Sequence, residues 1–295
     1  MYGKESLIWY IPERHNMNTY IAARDIIKRY GTGYYRATFL FPKHIRKVVW
    51  MLYQFVRLPD EIVDTQIQGA KENLEAWENT WKNEFVFGIP SSNDVVHAFI
   101  SVMQQYHIPG EYVTAFFSAM KQDITKSRYE TYGELEEYMY GSATVVGYMM
   151  SHIIGYKDGA LPYARALGEA FQMTNFLRDI KEDYDDRGRI YIPLEDMRRF
   201  GVTEEHIQKG IVDDRWKVLM KYEVEKTRAL YEKGVSGIAY LKPEGRKAVY
   251  AAALIYKEIL DMIEKSGYDI FKKRITVSPI RKTVLLYKAL WYKNQ

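Results

Sequence analysis

Along almost the whole chain, apolar residues recur every three or four positions, the spacing that gathers them on one side of a helix. The pattern predicts helices over 18–29, 43–64, 70–83, 94–106, 109–125, 133–154, 161–184, 213–240, 243–265 and 278–292. In the second of these, Ile45, Val48, Val49, Leu52, Phe55 and Val56 form the apolar side. Pro42 sits where a helix starts well, and Pro59 should interrupt and kink the same helix near its end. Gly31-Thr32-Gly33 reads first as an ordinary interhelical turn, and second as a break whose exposed backbone amides contact an anion. Only Ile190-Tyr191-Ile192 suggests a short strand. There is no repeat of fixed period and no Pro/Gly/Ser-rich linker, so 1–295 reads as one all-α domain.

Polar residues interrupt this pattern at two places. Asp60-Glu61-Ile62-Val63-Asp64 and Asn175-Phe176-Leu177-Arg178-Asp179-Ile180-Lys181-Glu182-Asp183 each place Asp at i and i+4, so both carboxylates leave one helix face. One such pair is ordinary on a solvated face. Here Gln172, Asn175, Asp179 and Asp183 run along a helix whose other residues, Phe171, Met173, Phe176, Leu177 and Ile180, belong in a core. Two such pairs turned toward each other need cations. Oxygen-only ligands suit magnesium, which shares its shell with phosphates. Arg57 stands one turn before Asp60, and Arg178, Lys181, Arg187 and Arg189 surround the second cluster. Arginine forks bind phosphate oxygens, so the mixture reads as a diphosphate site rather than metal storage. Internal salt bridging is the plainer alternative.

Composition narrows the chemistry. The chain is 47% hydrophobic with 26 Tyr, and it lacks Cys, which excludes disulfides, a thiolate nucleophile and Cys-ligated zinc. A net charge of +4 is too weak to argue for nucleic acid. The six His show no paired spacing, and there is no P-loop or GxGxxG turn. The amino-terminal MYGKESLIWYIPERHN has no signal-peptide core, and no stretch of about 18 apolar residues occurs, so a cytoplasmic protein is expected. Eight Lys/Arg and one Asp between 265 and 295, interleaved with apolar residues, read either as a solvated basic face or as a peripheral contact with anionic lipid.

Taken together, the segments GTGYYRATFLFP (31–42), YQFVRLPDEIVD (53–64), RYETYGELEEYMYGSATVVG (128–147), QMTNFLRDIKEDYDDRGRIYIP (172–193) and GYDIFKKRITVSPIRK (267–282) resemble the squalene/phytoene synthases over about 29–290. The second acidic segment is the most specific, and the last is closer to phytoene synthases than to squalene synthases. The resemblance implies a helical isoprenoid-synthase bundle around a central cavity. It also implies head-to-head condensation of two prenyl diphosphates, with magnesium as cofactor (manganese as a substitute) and no NAD(P)H. Asp60 and Asp64 would bind metal on one wall, and Asn175, Asp179 and Asp183 on the other. Arg57, Gln172, Arg178 and Tyr256 would contact diphosphate, and Tyr53 and Tyr138 would line the chamber.

The chain departs from the family pattern at Gly31-Thr32-Gly33-Tyr34, where two hydroxyl side chains are usual. Thr32 or backbone amides would then supply those contacts. Lys181 stands where Gly is common and Val145 where Thr is common. Thr38 occupies a position at which synthases using C15 substrates resemble one another in having a bulky aromatic, so its small side chain implies two C20 geranylgeranyl diphosphates and phytoene as product. Dehydrosqualene or squalene-type synthesis from farnesyl diphosphate, and a non-catalytic helical assembly protein, are the alternatives.

Overall fold

The computed structural model describes residues 17–65 and 69–292. The amino-terminal segment, expected to hold no leader, lies outside them. Among the described residues the helices are α1 (Met17–Tyr30), α2 (Thr32–Thr38), α3 (Lys43–Thr65), α4 (Ala70–Phe87), α5 (Asp94–Tyr106), α6 (Gly110–Thr125), α7 (Tyr132–Met139), α8 (Val145–Ile154), α9 (Leu161–Arg187), α10 (Leu194–Arg199), α11 (Glu204–Lys209), α12 (Asp214–Ser236), α13 (Pro243–Lys265) and α14 (Pro279–Leu290). A π turn, Tyr140–Thr144, joins α7 to α8, and a 3₁₀ turn, Gly237–Tyr240, follows α12. No strand forms among the described residues.

The apolar periodicity becomes the core directly. Two buried clusters form. One holds Ile45, Leu52 and Phe55 of α3 with Phe99 of α5, Phe117 of α6 and Leu135 of α7. The other holds Leu177 of α9, Trp216, Leu219 and Val224 of α12 and Leu260 of α13. Leu230 and Val249 pack against both clusters. Burying each such side chain contributes about 1.5–3 kcal/mol.

Several expectations change. The chain is helical again from Thr32, so only Gly31 interrupts α1 and α2. Pro59 does not interrupt α3, which runs on to Thr65. Proline removes one backbone bond there, and Arg57 secures the following turn through ion pairs to Asp60 and Glu61. The segment read as a strand makes only an isolated parallel bridge, Arg128 with Ile190. Helices α10 and α11 span six residues each, too short to show a period. The region 133–154 is not one regular helix but two joined by the π turn. A Cβ on Gly141 would stand 2.4 Å from the Ala115 carbonyl oxygen, and one on Gly168 would stand 2.9 Å from that of Ala143. Only glycine lets α6 and α9 close on the turn this tightly.

Candidate active site

A cavity of about 730 Å³ opens between the two clusters and takes its lining from α1, α2, α3, α6, α7, the π turn, α8, α9, α12 and α13. Of the residues singled out from sequence, Tyr53, Arg57, Asp60, Asp64, Tyr138, Gln172, Asn175, Arg178, Asp179, Asp183, Tyr256 and Thr38 all line it. Thr32 does not. It is exposed, and its hydroxyl accepts from Lys282 Nζ at 3.0 Å. The Gly31 amide is already donated to the Ile27 carbonyl at 2.9 Å. A Cβ on Gly31 would meet the Tyr53 hydroxyl at 2.8 Å, so this glycine makes room for a wall tyrosine rather than forming an anion loop. Lys181 likewise turns outward, to Asp185 and the Gln208 carbonyl.

The first acidic wall is the end of α3. Tyr53, Arg57, Asp60 and Asp64 follow helical spacing onto one side, and Arg57 forks between Asp60 and Glu61. Burial, followed by the neighbouring charge of Asp64, pushes the Asp60 carboxyl up to about 7. Because Asp60 keeps 35% of its side-chain exposure, a cation entering the cavity can reach it. The second wall is α9. Arg178 Nε donates to Asp179 Oδ1 at 2.8 Å, and Arg274 reaches Asp179 and Glu182 from the segment after α13. Asp183 is pushed up to about 8, by burial first and then by the charge of Asp179.

Arginines join the walls. Arg187 lies 3.1 Å from Asp64 and 3.0 Å from Asp183, and Arg189 donates to Asp64 at 3.0 Å. Despite its proximity to Asp64, Arg187 Nε–H is buried with no acceptor in line, as is Arg57 Nε–H. Buried carboxylates held above their ordinary range lack positive charge, and buried guanidinium N–H groups without acceptors lack an anion. A divalent ion carrying a diphosphate supplies both. Among the described residues no three acidic or His side chains converge as a ready-made cation cage. The acidic oxygens stand in pairs, on two helices, and magnesium is ordinarily held by one or two carboxylates together with phosphates.

Beyond the charged mouth the walls are aromatic. Tyr34 stacks on Tyr256 with ring centres 4.4 Å apart, and Phe171 meets Tyr256 edge-on at 5.0 Å. Phe176 stacks on Tyr191 at 4.0 Å, with Tyr138 beside it at 5.7 Å. Asp123, buried at the end of α6, accepts from the Tyr138 hydroxyl at 2.5 Å and from the Tyr191 hydroxyl at 3.0 Å. Burial raises the Asp123 carboxyl to about 6 although Arg189 opposes the shift. Much of the remaining lining is apolar and includes Ala37, Phe41, Val49, Leu52, Met150 and Ala252, with buried Thr38 among it.

Glu61, Asp123, Tyr191, Arg274 and Tyr34 line this site without having been assigned to it from sequence. Asp123 had a signal: it continues the buried stripe Phe116, Met120 on α6, where a carboxylate needs a partner. Glu61 lies inside the first acidic run, one position after Asp60 on α3, and Tyr191, Arg274 and Tyr34 are placed by contacts between segments distant in sequence.

Comparison with known proteins agrees with this geometry. The family model of squalene/phytoene synthase matches residues 27–281. The chain is similar to 15-cis-phytoene synthase of Synechocystis sp., 34% identical over 94% of this chain and 85% of that one. It is similar to phytoene synthase of Thermus thermophilus, 36% identical over 90% of each. A crystal structure of a dehydrosqualene synthase in complex with ligand superposes with a TM-score of 0.87 at 28% identity, covering 92% of this chain and 95% of that chain.

Proposed function

Because the chain belongs to the squalene/phytoene synthase family, we propose that it is one helical domain that condenses two geranylgeranyl diphosphates head to head into phytoene. It is a prenyltransferase of carotenoid biosynthesis, and two diphosphates leave per turnover. The observation that carries this reading is the pairing of two acidic walls, linked through Arg187, at the mouth of an aromatic-walled, otherwise apolar cavity.

Divalent-metal dependence is a property of the family. In this chain Asp60 and Asp64, facing Asn175, Asp179 and Asp183, would hold magnesium, which supplies Lewis-acid charge to the departing diphosphate. Arg57, Arg178, Arg187 and Arg274 surround the same space and offer N–H groups to diphosphate oxygens. Gln172 and Tyr256 add polar contacts on the α9 and α13 sides. Departure of the first diphosphate leaves an allylic cation. The double bond of the second substrate attacks it, and loss of a proton closes a cyclopropylcarbinyl diphosphate. Departure of the second diphosphate, rearrangement and loss of another proton give the conjugated triene.

Water would end this sequence at either cation, so the chamber excludes it with apolar and aromatic side chains. The faces of Tyr53, Tyr138, Tyr191 and Phe176 stabilise positive charge without offering a nucleophile. Their hydroxyls stay protonated: burial holds Tyr53, Tyr138 and Tyr191 above the ordinary phenol range. Thr38 leaves the apolar part long enough for C20 chains. The basic carboxyl-terminal region makes a peripheral contact with lipid.

The test is incubation with geranylgeranyl or farnesyl diphosphate and magnesium, followed by identification of the hydrocarbon. Phytoene from the C20 substrate is expected. A C30 product alone overturns the choice of substrate, and no condensation with either overturns the enzyme.

A further inference from the structure

Helix α14 is apolar on two sides. Leu285 and Ala289 are buried on the protein side. Ile280, Val284, Tyr287 and Trp291 are 80, 50, 62 and 68% exposed. Spacings of four, three and four residues place these four on one outward stripe. Phe39, 48% exposed at the end of α2, belongs to the same region: Arg36 of α2 donates to the Pro279 carbonyl at 3.2 Å and to the Thr283 hydroxyl at 3.3 Å. An exposed apolar stripe of this kind marks an interaction site.

The charge around it identifies the partner. Residues 26–59 contain seven Lys/Arg and no Asp/Glu, and residues 270–292 contain six and none. Both α2 and α14 lie within these segments. Part of that charge is turned inward: Arg29 and Arg57 line the cavity, Arg57 pairs with Asp60 and Glu61, Arg274 with Asp179 and Glu182, and Arg281 with Glu258. Lys43, four residues after Phe39, and Lys288, next to Tyr287, are exposed. The surface suits an anionic, partly apolar partner.

On its inner side α14 packs against α2 and α13, and Ala37, Ala251 and Ala289 meet there. The same two helices contribute Ala37, Thr38, Val249 and Ala252 to the apolar part of the cavity. Leu40, Tyr250, Leu254 and Leu286 complete that contact, so α2 and α13 touch α14 on one side and line the cavity on the other.

We propose that α14 and Phe39 form a face that docks on an anionic bilayer and lays the apolar part of the cavity against it. This rests on the reading that the product is a water-insoluble hydrocarbon. Ile280 and Val284 enter the acyl boundary, while Tyr287 and Trp291 lie at headgroup level. No helix among the described residues is long and apolar enough to cross a membrane, so the contact lies in the interface plane.

The test uses the full chain with vesicles of phosphatidylglycerol and phosphatidylcholine, against phosphatidylcholine alone. Co-sedimentation with the anionic vesicles, weakened by salt, is expected. Changing Val284→Glu together with Tyr287→Glu should lower partitioning on the order of tenfold or more. The control pair Val86→Glu and Phe87→Glu, in another exposed apolar patch at the end of α4, should not. Brominated lipid should quench a fluorescence component that Trp291→Phe lacks. The α14 variant should retain turnover of detergent-dispersed substrate, so loss of docking is distinguishable from failure of the proposed reaction. Unchanged vesicle binding by that variant, or equal loss in the α4 control, overturns the proposal. So does a wild-type dimer that the α14 variant dissociates, since a second copy would then cover the stripe. If the double variant fails to fold, Trp291 quenching in the wild-type sequence decides.

Discussion

Asp64 and Asp183, on different helices, share one guanidinium: Arg187 stands 3.1 Å from the first and 3.0 Å from the second. With no metal bound, this arginine holds the two acidic walls at a fixed separation. Removing either carboxylate pair should therefore abolish catalysis rather than merely weaken substrate binding. Asp60→Ala and Asp179→Ala should each lower turnover at saturating magnesium by at least about a hundredfold, and a chelator should do the same to the parent enzyme. Product yield per time measures this. Near-parental yield in both variants removes the metal walls from the mechanism.

Asp123 touches no predicted phosphate ligand, yet it fixes two ring hydroxyls of the chamber. Asp123→Leu leaves Tyr138 and Tyr191 without their acceptor, whereas Asp123→Asn keeps a carbonyl oxygen for one of them. The expectation is a fall in kcat of roughly ten- to a hundredfold for Leu, with KM little changed and partial recovery in Asn. Parallel kinetics on the two variants, with melting curves to confirm folding, check it. Equal activity in all three proteins would reduce Asp123 to packing.

Thr38 donates to the Tyr35 carbonyl at 2.7 Å and accepts from Trp50 at 3.0 Å, which locks a small side chain in the cavity wall. Thr38→Phe takes up cavity space there. Competition between labelled C15 and C20 substrates should shift toward C15 by roughly tenfold or more. An unchanged ratio would mean that chain length is measured elsewhere.

Glu223 of α12 is wholly buried, and neither of its oxygens has a hydrogen-bond partner. Burial raises its carboxyl to about 8, with Lys226 opposing the shift and Asp196 adding to it. A carboxyl raised in the folded state is protonated there below that value. Its contribution is intact at pH below about 4, near the unfolded glutamate value, and is lost as pH climbs toward 8. Glu223→Gln should match the parent near pH 4 and exceed it by about 1–3 kcal/mol at pH 9. Denaturant titrations at the two pH values read this directly, and a constant difference between them contradicts it.

Much of the site was legible because a helix turns sequence spacing into direction. Asp60 and Asp64, or Asn175, Asp179 and Asp183, had to share a face, and their apolar neighbours showed that face to be internal. Contacts between distant segments were not legible. Arg189 and Asp64 stand 125 residues apart, and Arg274 reaches Asp179 from a non-helical segment that has no period to read. Thr32 was assigned because it stands, between two glycines, in the segment where the family's hydroxyls contact phosphate. Those glycines instead accommodate the rings of Tyr53 and Tyr256.

The π turn has a consequence for evolution and engineering of this wall. Tyr138, Ser142, Val146, Met150 and Ile154 all face the chamber at strict four-residue intervals. In an ordinary α-helix each such interval drifts by about 40°, so the last residue would point almost opposite to the first. One over-wide turn takes back about 100° of that drift and keeps the row on one side. Deleting a single residue from it would give a more regular helix while swinging everything downstream by about 100°. Length changes here should therefore be far less tolerated than substitutions, even conservative deletions that leave every chamber side chain in the sequence.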